Sequence, residues 1–484
     1  MKNFKYYLDQ IGEIGFVEEV LHSIVYVSGL PGARPSELVI FESGELGQVI
    51  SLSRDVVEIL LLARTQVRVS TRVARTDELL QVPVGEALLG RAIDPLVKPI
   101  DGGKSMQTTQ ISPTDTQPHG IVGREHILEP LETGVALVDL AVPLAKGQRE
   151  LVIGDRKTGK TEFLLQTFLS QARKGTICIY AIIGQRLIDI REKIEFIEEK
   201  KIINTSIVVA SSSSDPSGLI FLTPYTAMTI AEFFRNQDKD VLLILDDMST
   251  HARYYREISL LARRFPGRGS YPGDIFYTHA KLIERAGNFK RGSITCLPVT
   301  ESVLGDLSGY IQTNLMAMTD GHVFFDIDLY NRGKRPAVNS FLSVTRVGHQ
   351  AQTSLQKDLS RELSRFMVEY EKMSQFMHFG AEVGETVKKT LDMGRKIDAF
   401  FDQSPDKLIP LNANIVILAG LWAGLWVEIA ISDFGKEIEQ LAMDYQTNEN
   451  FRNEIDKLIN SKKTFSDLVS TIRRDSKILG VKNM

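Results

Sequence analysis

Short apolar runs separated by turn residues open the chain: Phe16–Val20, Ile24–Val27, Leu38–Phe41, Gln48–Leu52 and Val67–Val69. Gly, Pro, Ser and Asp stand between them, and such a series predicts the strands of a small β-barrel or sandwich over residues 1–80. Gln81, Val82 and Pro83 then open a Gly/Pro-bearing stretch that marks entry into a second domain, 81–352. There the rhythm becomes strand and helix in alternation. Glu150–Ile153, Thr176–Ile183, Ser206–Ala210 and Val241–Leu245 are apolar runs of strand length, the last three continuous as in strands buried on both faces. Thr161–Lys174, Arg191–Lys200 and Ala227–Asn236 carry helical spacing, the first closed by Gly175. Alternation of this kind predicts a parallel α/β sheet covered on both sides. After Gln352 the strand signals end. Leu355–Leu391, Asn412–Met443 and Phe451–Leu479 carry apolar residues at helical spacing and predict a helical domain over 353–484.

A chain of 484 residues suits about three such domains. Its net charge of −4 gives no global basic field for DNA or RNA. Cys178 and Cys296 lie far apart in apolar runs, so the sequence predicts two reduced thiols and no structural metal. The opening MKNFKYYLDQIGEIG has neither a signal core nor the Arg-rich character of a transit peptide. The apolar stretch Ile415–Ile431 contains Gly420, Gly424 and Glu428 and falls short of the ~20 residues of a membrane span. It predicts a buried helix in a soluble protein.

The chemistry concentrates after the strand at Glu150–Ile153. Gly154, Asp155, Arg156, Lys157, Thr158, Gly159, Lys160 and Thr161 match the phosphate-binding loop G-x4-G-K-[ST] in full. The glycines permit a tight loop of inward-pointing amides, and Lys160 supplies charge near the β- and γ-phosphates. The Thr161 hydroxyl suits Mg²⁺, and the next helix adds its positive N-terminal dipole. Asp246, at the end of Val241–Leu245, is the expected second metal group, ahead of Asp247. At Gln185 a hydrolysing enzyme of this layout would carry a carboxylate to polarise water. An amide cannot take a proton in that way, although it can orient water. Arg346, in Leu342–Gly348, ends a strand near the domain edge, a position open either to a surface ion pair or to reaching a neighbouring subunit's γ-phosphate. The segment Arg253–Arg268 interleaves arginine with tyrosine, a pattern open to nucleic acid or to an interfacial role.

The chain resembles the α subunits of the rotary F-type ATP synthases. The match runs from about residue 15 into the C-terminal helices. It is carried by PLETGVALVDLAVPLAKGQRELVIGDRKTGKT at 130–161, IIGQR at 182–186 and LLILDDMS at 242–249. SLLARRFPGRGSYPGDIFYTHAKLIERAG at 259–287 and TDGHVFF through SVTRVGHQAQ at 319–352 extend it. The resemblance implies a barrel, a RecA-like nucleotide domain and a helical domain. It further implies a hexamer of alternating α-type and β-type subunits around a γ-type central stalk. Peripheral-stalk δ/b-type subunits would join this head to an ion-translocating sector, expected to move protons, at the cytoplasmic face of a bacterial plasma membrane, with no nucleic acid involved. In that family the α subunit holds Mg-ATP, or ADP, without turning it over, in keeping with Gln185. Arg346 matches the arginine finger, Tyr330 and Arg335 fall where the adenine pocket is shaped, and Gln403 is a further contributor. Departures are Lys157 in place of glutamine, Ala317 in place of serine, and His349 and Gln350 in place of small residues. The segment before Gly15 is also shorter than the family's stalk-binding helix. The alternative reading is a self-sufficient homohexameric motor, a secretion ATPase or Rho-like helicase, which wants a carboxylate at 185.

Overall fold

The computed structural model describes residues 2–108, 110–378, 384–405 and 407–479. The expected helical run Leu355–Leu391 and the expected domain 353–484 each include residues outside that set. The chain forms two compact units: 1–125 with 172–302 and 306–319, and 126–171 with 303–305 and 320–484. The strands of interest are β1 (Ile14–Leu21), β2 (Ile24–Ser28), β3 (Glu37–Phe41), β4 (Leu46–Leu52), β5 (Val57–Leu61), β6 (Arg72–Leu79) and β7 (Ala92–Ile93). Then come β8 (Glu150–Gly154), β9 (Ile177–Gln185), β10 (Ser206–Ser212), β11 (Asp240–Asp246), β12 (Ser293–Glu301), β13 (Gly321–Phe325) and β14 (Val344–Thr345).

In the first unit β1–β6 close into an antiparallel barrel in the order β1-β2-β5-β4-β3-β6. Side-chain alternation explains its two surfaces. Val25 and Val27 face an interior filled by Val39, Phe41, Val49, Ile59 and Val73. Their neighbours Ile24 and Tyr26 pack outward with Leu38 and Leu60 against Leu219, Leu222 and Ile258. One strand thus serves two cores.

The expected strand at Val67–Val69 is instead a loop that buries Val67 and leaves Val69 exposed. The positions are taken by β5, a near-continuous apolar run, and by β6. In β6 the alternation is broken by Arg75, buried and paired with Glu37 at 3.0 Å and Glu13 at 2.8 Å. The helix Phe4–Ile11, capped by Asn3, lays Tyr7 against Ile40 and Ala74 of the barrel.

The same unit carries a parallel sheet in the order β12-β11-β9-β10-β7. Cys178 and Cys296 are buried free thiols, and burial raises the Cys178 pKa. The helix Met248–Leu261 follows β11 and buries His251, which stacks on Phe221 with centroids 4.9 Å apart. His251 Nε2 lies 3.0 Å from the Phe221 carbonyl oxygen, so it bears the hydrogen. Nδ1 is then the acceptor for His279 Nε2–H at 3.0 Å, and burial lowers the pKa of both rings.

In the second unit β8 and β13 are parallel and β14 runs antiparallel to β13. The C-terminal helices and the short helix Ala136–Ala141 share one core that includes Leu359, Ile397, Phe400, Ile415, Trp426 and Phe434. The stretch Ile415–Ile431 is not one helix. The helix Leu411–Ala423 stops at Gly424, whose φ of 85° is left-handed, and Trp426 folds back onto Gly420. Among the described residues no helix is long and apolar enough to cross a membrane.

Candidate nucleotide-binding site

In the second unit β8 leads into the loop Gly154–Thr161 and then into the helix Lys160–Arg173. Parallel pairing sets Gly154 beside Phe325, and a Cβ on Gly154 would lie 2.4 Å from the Phe325 carbonyl oxygen. Only glycine fits there. Gly159 takes φ 95°, and Lys157 takes φ 62° as a non-glycine in the left-handed region. The Lys160 ammonium donates to the carbonyls of Gly154 at 2.7 Å and Asp155 at 2.5 Å, which curls the loop over its own helix. The Thr158 hydroxyl donates to the Asp155 carbonyl at 2.7 Å, and the Asp155 carboxylate receives the Gly305 amide at 3.1 Å. Arg156, Lys157 and Thr161 stand exposed. Together the loop, the ammonium and the 14-residue helix fit a polyphosphate.

β13 leaves the sheet at the same end as the loop begins. The helix Ile327–Asn331 follows, capped by Asp326, and carries Tyr330. The Arg335 guanidinium lies over the Tyr330 ring, 3.6 Å from its centroid, and donates to the Tyr330 carbonyl at 2.9 Å. Gln403 joins this group through its own amide, which donates to the Arg335 carbonyl at 2.8 Å. Both ends of its side chain are already engaged. Oε1 accepts from the Ala136 amide at 3.0 Å, and Nε2 donates to the Gly134 carbonyl at 2.7 Å. Gln403 therefore ties backbone segments together behind Arg335.

Arg346 follows directly on β14 with its side chain exposed. Its amide donates to the Asp320 carbonyl at 3.0 Å. The Asp320 carboxylate is held by both prongs of Arg149, at 3.1 and 2.7 Å. The backbone is fixed while the side chain stays exposed.

The first unit places Asp246 and Gln185 at the carboxyl ends of adjacent strands, with Ile182 level with Asp246. The buried Tyr180 hydroxyl donates to Asp246 Oδ2 at 2.9 Å. Asp247 instead caps the helix Met248–Leu261, accepting from the Thr250 amide. Burial, then the charge of Asp246, pushes its pKa up to about 6. β9 runs two residues further than its apolar run predicts and so includes Gln185. Gln185 Nε2 donates to the Asp246 carbonyl at 3.2 Å, and Oε1 accepts from the buried Lys193 ammonium at 2.9 Å. Sequence reasoning misses Lys193 and Tyr180, because a lysine in a polar helix and a tyrosine in an apolar strand carry no special spacing.

Arginines of the segment 253–268 pair in this unit with tyrosines outside it. Arg256 lies over Tyr271 at 4.9 Å, Arg268 over Tyr310 at 5.5 Å and Arg263 over Tyr26 at 5.7 Å.

Residues 134–345 match the family model of the ATP synthase alpha/beta family nucleotide-binding domain. Residues 352–474 match that of the C-terminal domain of the ATP synthase alpha/beta subunits. The protein is 37% identical over 442 residues to a protein of Neorickettsia sennetsu named ATP synthase subunit alpha, with 89% of its own length and 87% of the relative's covered. It is 38% identical over 436 residues to the Staphylococcus aureus (strain Newman) protein of the same name, with the same coverage. The architecture of barrel, nucleotide-binding α/β domain and helical domain, the complete phosphate loop and this extent of identity agree: the chain belongs to the ATP synthase alpha/beta family, on its alpha-subunit branch.

Proposed function

We propose that this chain is the α-type subunit of an F1 head, holding Mg-ATP or ADP without hydrolysing it and completing catalytic sites on β-type neighbours. The observation that carries the reading is Gln185. At the end of β9 stands an amide whose oxygen is taken by Lys193 and whose NH₂ is taken by the Asp246 carbonyl. Such a group cannot accept a proton from water as a carboxylate in its place would. Lys160 and the loop amides bind the phosphates, Thr161 and Asp246 are the metal ligands, and Tyr330 with Arg335 borders the base while Gln403 supports it. Mg²⁺ held there would neutralise phosphate charge.

In this reading the domains are 1–80, 81–352 and 353–484. Arg346 acts in trans as an arginine finger, stabilising negative charge that builds on the transferring phosphoryl group. Partners are the β-type subunits, a γ-type central stalk and δ/b-type peripheral-stalk subunits. The head sits peripherally at the cytoplasmic face of a bacterial plasma membrane, coupling ATP synthesis or hydrolysis to proton transport. The test is to purify the chain alone and with its β-type partner, and to measure ATP binding and hydrolysis in both. Binding without turnover alone, with turnover in the mixture that is lost in Arg346→Ala, supports the reading. Turnover by the lone chain overturns it in favour of a homomeric motor.

A further inference from the structure

Glu150 opens β8, four residues before the phosphate loop, and is fully buried. In register it faces Gly321, and Gly321 in turn pairs with Thr345, the residue before Arg346. The packing is close: a Cβ on Gly321 would lie 2.7 Å from Glu150 Oε2 and 2.1 Å from the Val344 carbonyl oxygen. A single amide joins the carboxyl to the finger's strand. Gln148 Nε2 donates to Glu150 Oε2 at 2.6 Å and to the Thr345 hydroxyl at 3.2 Å. Thr345 then donates to the Pro143 carbonyl at 3.0 Å and receives the Gly348 amide at 3.1 Å, so the turn containing Arg346 is closed on this network.

The other oxygen, Oε1, is buried with no hydrogen-bond partner. A naked ionised oxygen there is costly, and Asp320 opposes a second negative charge. The charge of Arg346 acts on Glu150 and also on His322. An ionised Glu150 would draw the guanidinium inward. A neutral one leaves it free to extend away from its own chain.

We propose that Glu150 is a positioning residue for Arg346, holding the Thr345–Gly348 turn through Gln148 so that the guanidinium is presented to the neighbouring subunit. The proposal rests on the finger role of Arg346 given above. The experiment uses the full-length chain assembled with its partner subunits and follows steady-state ATP hydrolysis. E150Q, which keeps shape and neutrality, retains kcat within about twofold. E150L lowers kcat on the order of tenfold or more, as expected for a misplaced catalytic group, with KM and ATP binding by the isolated chain unchanged.

In an R346A background the same E150L change alters kcat less than about twofold, because the two residues act as one unit. Q148M, which cuts the link from the other side, gives the same pattern if E150L fails to assemble. Wild-type kcat in both E150L and Q148M overturns the proposal, as does equal loss in the R346A background. If R346A itself turns over like the wild type, the finger reading has failed instead.

Discussion

The His251–His279 pair makes a specific demand on acid stability. Burial lowers the His251 pKa from 6.5 to about 4 and lowers that of His279 well below 6.5, with His251 a secondary cause. An unfolded chain binds a proton at each ring near pH 6.5, whereas the folded chain does not. Between the two pKa values the unfolded state therefore holds more protons, and stability falls as pH drops through the window from 6.5 to about 4. For His251 alone the full loss is about 3 kcal/mol.

His251→Gln keeps a donor for the Phe221 carbonyl and an acceptor for His279 but cannot titrate. Urea midpoints of the full-length protein at pH 7.5 and 5, compared between wild type and variant, isolate this contribution. Asp139, raised to about 7, and Asp247, raised to about 6, act in the opposite direction but are common to both proteins and cancel. The variant should lose less stability on acidification, by about 1–2 kcal/mol at pH 5. Equal pH dependence in the two proteins would refute the assignment of a neutral buried dyad.

Three further outcomes are expected. Gly154→Ala drives a methyl into the Phe325 carbonyl, and displacement of the loop should cost about 1–3 kcal/mol of overpacking and weaken ATP binding about tenfold or more, read by calorimetry. Arg75→Leu leaves Glu37, only 3% exposed, without its cation. Thermal melting of the barrel should show a loss of about 3–5 kcal/mol, whereas the Arg75→Leu/Glu37→Leu pair should recover much of it. Arg335→Ala removes the cation from the Tyr330 face and should weaken ATP binding several-fold, by about 1 kcal/mol, while leaving inorganic triphosphate binding unchanged.

Periodicity exposes the strands flanking the chemistry because parallel strands buried on both faces are apolar without interruption, as at Ile177–Ile183 and Val241–Leu245. The phosphate loop is legible because its glycines and lysine are dictated locally. β6 is hidden because its inward Arg75 reads as a surface residue until Glu37 and Glu13 arrive from distant strands. The break at Gly424 is hidden because Trp426 folds back to continue the apolar pattern across a turn. The clamp of Lys193 on Gln185 joins a strand end to the following helix, and no single segment encodes it. Arg346 stands out by its motif, but what fixes its backbone, Asp320 and Arg149, is a tertiary arrangement.

The two-sided strands of the barrel have a consequence for anyone cutting the gene. Because Ile24, Tyr26 and Leu60 seal one side of the helix Ser217–Arg235, the first eighty residues are not a removable cap. A truncated protein beginning at Gln81 would bare Leu219, Leu222 and Ile258 to water and should aggregate. A protease nick in the loop after β5 should leave the fragments bound to each other until denaturant is added.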